Sequence, residues 1–249
     1  MNKIEQVTEW IRGSERVVFF GGAGTSTESG IPDFRSAAGL YRSAQGSGAP
    51  PEVMLSHTYF MEHPESFFEF YKKHMIYRDA RPNAAHEALA ALERAGKLAA
   101  VVTQNIDGLH QAAGSRVVYE LHGSVHRNRC MACGAAYTLD EMLALPGVAP
   151  RCRACGGVVK PDVVLYEEPL DQDVWAGAVE AIRAADVLLV GGTSLTVYPA
   201  AGLVGELRGG KLVLMNREET SFDRRADAVV RGSVGEALRR VAEAIVADF

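Results

Sequence analysis

Six short runs of apolar and β-branched residues constrain this chain more than any other feature: Val17 to Phe20, Ala99 to Val102, Val117 to Leu121, Val187 to Val190, Leu212 to Met215 and Ala228 to Val230. Each is too short for a helix and none alternates strictly with polar residues, so each reads as a strand buried on both faces. Helical spacing lies between and around them: Ile4, Val7 and Ile11 at the start, Ala85, Leu89 and Leu92 before the second run, and Val234, Leu238, Val241 and Ile245 at the end. That alternation predicts an α/β fold, a doubly wound parallel sheet covered by helices on both faces. With 249 residues there is room for one large domain, or one plus a smaller module.

Two stretches break the rhythm. Ser36 to Arg81 begins as a Gly, Ser and Pro-rich loop, RSAQGSGAPPE over 42–52, and continues as an aromatic helix opening at Pro64, PESFFEFYKKHMIYR. His126 to Lys160 carries all four cysteines. The expected organisation is therefore a large domain from residues 1–35, 82–125 and 161–249, and a small domain from insertions 36–81 and 126–160. A cleft between such units is where a ligand is held.

The cysteines, Cys130, Cys133, Cys152 and Cys155, read C-x2-C-x18-C-x2-C. Each short turn can aim two sulfurs at one point, and four thiolates complete a tetrahedral zinc shell with no open position, so the metal is expected to be structural. Two disulfides are the alternative, disfavoured in a chain without an export signal. A redox pair would sit at a strand end rather than in a Gly and Arg-rich insert.

The loop GGAGTSTESGIPDFR, residues 21–35, follows directly on the first strand. Gly22 and Gly24 allow a tight turn and close approach to a pyrophosphate. Thr27 stands where a third glycine would complete GxGxxG, and no acid lies about 20 residues on, which disfavours a standard hydride-transfer dehydrogenase. VLLVGGTSLTVYPAA (187–201) supplies a second strand, glycine loop and helix, and KLVLMN (211–216) a third strand whose Asn216 can bond a ribose hydroxyl. Turn or helix capping is the plainer role for Thr193, Ser194 and Asn216.

TQNIDGLH (103–110) puts Gln104, Asn105 and Asp107 just after one strand, and YELHGS (119–124) puts His122 at the end of the next. Parallel strand ends share one edge of the sheet. Of seven histidines, only His122 is followed at once by a small residue at a strand end beside a second polar cluster.

Through GAGTSTESGIPDFR, TQNIDGLH, YELHGS, the paired CxxC, KPDVVLYEE, GGTSLTVYPAA and VLMN, in that order along essentially the whole chain, the sequence resembles the sirtuin family of NAD-dependent protein-lysine deacylases, most of all its bacterial deacetylase branch. The resemblance implies a Rossmann-type NAD domain beside a small zinc and helical domain. It implies NAD contacts from Ala23, Thr27, Phe34, Arg35, Gln104, Thr193, Ser194 and Asn216, with Ile106 and Asp107 lining a nicotinamide pocket. Asp107 would accept the carboxamide N–H, Arg35 would meet the pyrophosphate, and Phe34 would shield the reacting carbon from water. His122 would be the general base, since imidazole titrates near neutral pH, and Asn105 would orient the ribose or water.

The implied reaction starts with the acyl oxygen of a modified lysine attacking the ribose carbon as nicotinamide leaves. A ribose hydroxyl deprotonated by His122 then attacks the resulting imidate, and water releases lysine and O-acetyl-ADP-ribose. NAD is a co-substrate, and zinc takes no part in the chemistry. The lysine would enter a tunnel lined by Val164 and Tyr166, its peptide adding as a strand against VVLYEE. The loop 42–52 would close over NAD.

Two positions depart from the family pattern. Glu167 stands before Glu168 where glycine is common, which unsettles the local backbone path and favours basic residues flanking the lysine. Succinyl-preferring members carry Tyr-x-x-Arg, whereas this chain reads Tyr71-Lys72-Lys73-His74. A largely neutral imidazole clamps a carboxylate poorly, so deacetylation is expected over desuccinylation. ADP-ribosyl transfer and a longer-acyl preference are the alternatives within enzymes.

Charge excludes other classes. With 26 Lys+Arg against 31 Asp+Glu, the chain has no basic excess for nucleic acid or anionic membrane. The cysteine insert from Gly123 to Asp162 carries five basic against three acidic residues, too little for a phosphate-tracking surface. MNKIEQVTEW is no signal peptide, and no run nears the roughly 18 apolar residues of a membrane span. A cytoplasmic monomer acting on acetyl-lysine proteins or peptides is the expectation.

Overall fold

The computed structural model describes residues 2–33, 39 and 49–247. All six apolar runs are strands of one sheet, and its order places the polar loops that follow β1, β2, β3, β7 and β8. In chain order the strands are β1 (Val17–Gly21), β2 (Leu98–Thr103), β3 (Val118–Glu120), β4 (Gly123–Cys130), β5 (Ala136–Thr138), β6 (Val159–Val163), β7 (Val187–Gly191), β8 (Lys211–Asn216) and β9 (Ala228–Arg231). The large sheet runs β3-β2-β1-β7-β8-β9, every neighbouring pair parallel. The chain first winds outward from β1 through β2 to β3, then crosses back and winds the other way from β7. The strand ends at β1 and β7 are therefore the switch point, where connections diverge and leave a crevice.

Successive residues of one strand enter opposite layers, as the period of two requires. Val17 and Phe19 pack with the helices Lys3–Arg12, Ala84–Arg94 and Val234–Val246, while Val18 and Phe20 pack with the helix Gln172–Arg183 and the 3-10 segment Ala200–Glu206. This two-sided burial is why these strands read as unbroken apolar runs. Ala200–Glu206 forms 3-10 turns where an ordinary helix was expected. Gly202 and Gly205 within it weaken any longer α-helical run.

A third apolar cluster lies apart from that sheet. The helices Pro51–Met54, His57–Glu62 and Pro64–His74 supply Met54, Phe60, Phe67, Phe68 and Tyr71, all buried, which pack with residues of the antiparallel sheet β5-β4-β6. β4 starts directly after His122 and carries the chain from the large sheet into this smaller one. No helix among the described residues is long and apolar enough to cross a membrane.

Candidate active site

The loops leaving β1 and β7 interlock at the switch point. Gly24 N–H donates to Gly192 O at 2.8 Å, and Gly22 N–H to Gly191 O at 3.3 Å. A Cβ on Gly24 would stand 2.8 Å from the Gly192 Cα, so glycine is required there by the approach of two backbones. After Gly22 the chain makes two 3-10 turns, Ala23–Thr25 and Thr27–Ser29, in place of a long helix. Three residues expected to meet NAD are wired together across the strand ends. Gln104 Nε2 donates to Thr193 Oγ1 at 3.1 Å, Thr193 N–H to Asn216 Oδ1 at 3.2 Å, and Asn216 Nδ2 to Thr193 O at 2.9 Å. Asn216 thus holds the second glycine loop, in keeping with the plainer reading of these side chains. Thr27 Oγ1 donates to Gly24 O at 3.0 Å, and exposed Ser194 pairs with Thr196 at 2.8 Å. Phe34, Arg35 and 42–48 of the expected closing loop lie outside the described residues.

His122 stands on the same crevice. It lines, with Gly22, Ala23, Gln104, Asn105, Ile106, Asp107, Val164, Tyr166 and Asn216, a cleft of about 1050 Å³. Its Nδ1 lies 3.0 Å from the Gln104 carbonyl. A carbonyl only accepts, so Nδ1 carries the proton and Nε2 keeps a lone pair. Burial pushes the imidazole below its ordinary value, opposed by the bond to Gln104, so it is a neutral base at pH 7.

Beside it lies a buried relay that sequence reading did not single out. Ser26 Oγ donates to Asp107 Oδ2 at 2.7 Å and receives Asn105 Nδ2 at 3.0 Å. With its one proton given to the carboxylate, Ser26 can only accept from His86 Nε2, 3.5 Å away. Asn83 N–H donates to His86 Nδ1 at 3.2 Å, which demands the same tautomer. Burial lowers His86, with Asp107 opposing, so the ring is neutral with its proton on Nε2. Asp107 Oδ1 takes Leu109 N–H at 2.9 Å, fixing the carboxylate from both sides. Asn83-x-x-His86 was the available signal, but it reads as the helix cap that it also is. Underneath, His110 packs edge-on to His86 at 4.7 Å with both ring nitrogens unpartnered among the described residues, and burial pushes it down to about 3.

Next to it, Val164 N–H donates to His122 O at 3.0 Å, tying the expected tunnel to His122. Tyr166 pairs with the helical segment: its N–H donates to Leu55 O at 3.0 Å and its carbonyl accepts His57 N–H at 2.9 Å. Glu168 gathers Leu165 N–H, Lys160 Nζ and His57 Nδ1 at 2.8, 3.0 and 2.9 Å, which locks the loop. Glu167 holds φ at +75°, the left-handed region where glycine is common. The backbone path of a glycine is therefore kept here with a glutamate in it. His74 and Tyr71 also line the cleft; burial and Lys73 lower His74, while Lys72 is turned to the Val148 carbonyl at 2.8 Å.

The four cysteine sulfurs all lie within 4.8 Å of one another. Cys130 to Cys155 is 3.5 Å and Cys133 to Cys152 is 3.6 Å, far beyond a disulfide bond and close to the roughly 3.8 Å that a tetrahedral ZnS4 unit with bonds of about 2.3 Å sets between sulfurs. The donor set fits structural zinc. Tyr137 supports it, donating its phenol proton to Cys152 Sγ at 3.2 Å while accepting Arg153 N–H at 3.1 Å.

Fold and cleft together define an α/β protein that takes an extended dinucleotide at its switch point and carries a structural zinc module. Residues 22–199 match the model of the Sir2 family. NAD-dependent protein deacetylases of Clostridium acetobutylicum and Cutibacterium acnes are 56% and 57% identical to it, each alignment covering 97% of this chain and 98% of the relative. Among solved structures, a Sir2 homolog in complex with NAD is 36% identical with a TM-score of 0.87, covering 98% of this chain and 94% of that one. A Sir2 variant with deacetylated p53 peptide and 3′-O-acetyl ADP ribose is 37% identical with a TM-score of 0.90, covering 98% and 99%. The chain belongs to the Sir2 family.

Proposed function

We infer that this chain is an NAD-dependent protein deacetylase in which His122 is the general base. The observation that carries this role is the fixed tautomer: Gln104 O takes the Nδ1 proton and leaves Nε2 basic within the cleft. NAD supplies an electrophilic ribose carbon with nicotinamide as leaving group. Asp107, held by Ser26 and Leu109 N–H, offers carboxylate lone pairs to the carboxamide, and Ile106 gives that pocket an apolar wall. The Asn105 amide keeps Oδ1 for a ribose hydroxyl or water while its Nδ2 is engaged by Ser26. Gln104, Thr193 and Asn216 shape the adenosine side through their mutual bonds, with Ala23, Thr27 and Ser194 along the loops and Phe34 and Arg35 completing the NAD contacts. His122 Nε2 removes the ribose hydroxyl proton once nicotinamide has left, and Val164 and Tyr166 guide the acyl-lysine to it.

The large NAD-binding domain takes residues 1–35, 82–125 and 161–249, and the small one 36–81 and 126–160. A monomer is the oligomeric state proposed, and four thiols arranged for metal suit a reducing, cytoplasmic setting. Acetyl is favoured over succinyl, because neutral His74 is a weak carboxylate clamp. Mass spectrometry of the products from NAD and an acetyl-lysine peptide tests the function: free lysine with O-acetyl-ADP-ribose is expected, whereas a peptide carrying ADP-ribose would establish transfer instead. Faster turnover of the matching succinyl peptide would refute the acyl preference.

A further inference from the structure

We propose that Glu167 is a specificity residue that selects acyl-lysine peptides with a basic residue beside the lysine. This rests on the deacetylase reading above. Four of the five amides from Val164 to Glu168 are already engaged: Val164 with His122 O, Leu165 with Glu168 Oε2, Tyr166 with Leu55 O and Glu168 with Leu165 O. The Glu167 N–H alone has no partner among the described residues, so it is the donor this wall presents to an incoming peptide strand. The side chain at that point is exposed and lines the same cleft as Val164 and Tyr166.

Its charge is the less compensated one of the pair, opposed among the described residues only by His57 nearby. Glu168 is neutralised by Lys160 and met by His57, whereas none of the ion pairs among the described residues engages Glu167. Its Oε2 accepts Thr58 N–H at 2.9 Å near the start of the helix His57–Glu62, and the Thr58 side chain also bonds the carboxylate, which fixes the anion in place. Hydrogen bonds from Thr58 hold the carboxyl below the usual carboxylate range, so it is anionic throughout the working pH. The same bond anchors a residue in a backbone conformation that L side chains adopt at a cost, and a strained position kept at a binding wall invites a functional reading. An anion fixed next to the free amide meets the peptide residues adjoining the lysine; it attracts Arg or Lys there and repels Asp or Glu.

The test compares acetyl-lysine peptides flanked by Arg, Ala or Glu. The native chain is expected to prefer the Arg-flanked over the Glu-flanked peptide by about fivefold in kcat/KM, the size of an exposed ion pair, and to lose most of that preference in about 0.5 M salt. Glu167→Gln, which keeps an acceptor for Thr58, and Glu167→Gly, which suits the left-handed turn, should both bring the ratio near one. An unchanged ratio in Glu167→Gln, or no preference in the native chain, overturns the proposal. Fluorescence anisotropy of the same labelled peptides reads the ratio without turnover. Arg preference in binding with no deacetylation would sink the catalytic reading and leave this one standing.

Discussion

His122 owes its position to the residue after it. Gly123 sits at φ +74°, and a Cβ there would stand 1.9 Å from the Asp162 carbonyl, so β4 can leave His122 and pair with β6 only with glycine at the turn. Gly123→Ala should cost about 2 kcal/mol or more in urea unfolding, and a loss below about 0.5 kcal/mol would show that the turn gives way. His110 makes a second residue-level prediction. Its folded value near 3 lies below the roughly 6.5 of an unfolded histidine, so the unfolded chain binds a proton that the folded chain refuses. Its neutral, buried form is compatible with folding above about pH 6.5, and stability falls by about 1 kcal/mol per pH unit as pH drops from there towards 3. His110→Leu should flatten the stability change between pH 7.5 and 5 by up to one proton's worth; parallel curves would contradict it. Identity was legible here where state was not. The TQNIDGLH and YELHGS segments announced Asp107 and His122, but tautomers and the Ser26–His86 relay depend on which atoms meet in space, and a helix cap disguised the latter.

At the scale of elements, the sheet was the most readable part, because a strand buried on both faces must be apolar at every position. Val118–Glu120 is shorter than its run: Val117 is exposed, and Glu93 takes its N–H and that of Arg116. The small antiparallel sheet was less legible. β4, GSVHRNRC, is largely polar, and its pairing with β5 and β6 is organised by the cysteine turns rather than by an apolar pattern. Its stability should therefore follow the metal. Removing zinc with a chelator is expected to abolish hydrogen-exchange protection over β4, β5 and β6 while β1, β2 and β7 stay protected; equal loss in both sheets would refute that independence. Tyr137→Phe removes the phenol bond to Cys152 and should speed zinc transfer to a colorimetric chelator about tenfold, and an unchanged rate would show that the bond does not hold the metal.

For the molecule as a whole, the cleft exists because the winding of the large sheet reverses between β1 and β7, while Tyr71 and His74 of the helix Pro64–His74 and Val164 to Glu168 after β6 wall it beside His122. This geometry explains why residues distant in sequence line one cleft. It also predicts pH dependence. Since burial lowers His122, the rising limb of kcat/KM for deacetylation should lie below the ordinary histidine value of about 6.5, with activity lost as Nε2 is protonated. A limb centred above 7 would contradict the buried, neutral base. The most direct measurement of the central claim is steady-state nicotinamide release and lysine product from NAD and an acetyl-lysine peptide, native chain against His122→Ala, with circular dichroism confirming that the variant folds. The native chain should yield nicotinamide, O-acetyl-ADP-ribose and lysine in equal amounts and the variant none above background. A folded variant that deacetylates at the native rate would show that another group takes the ribose proton.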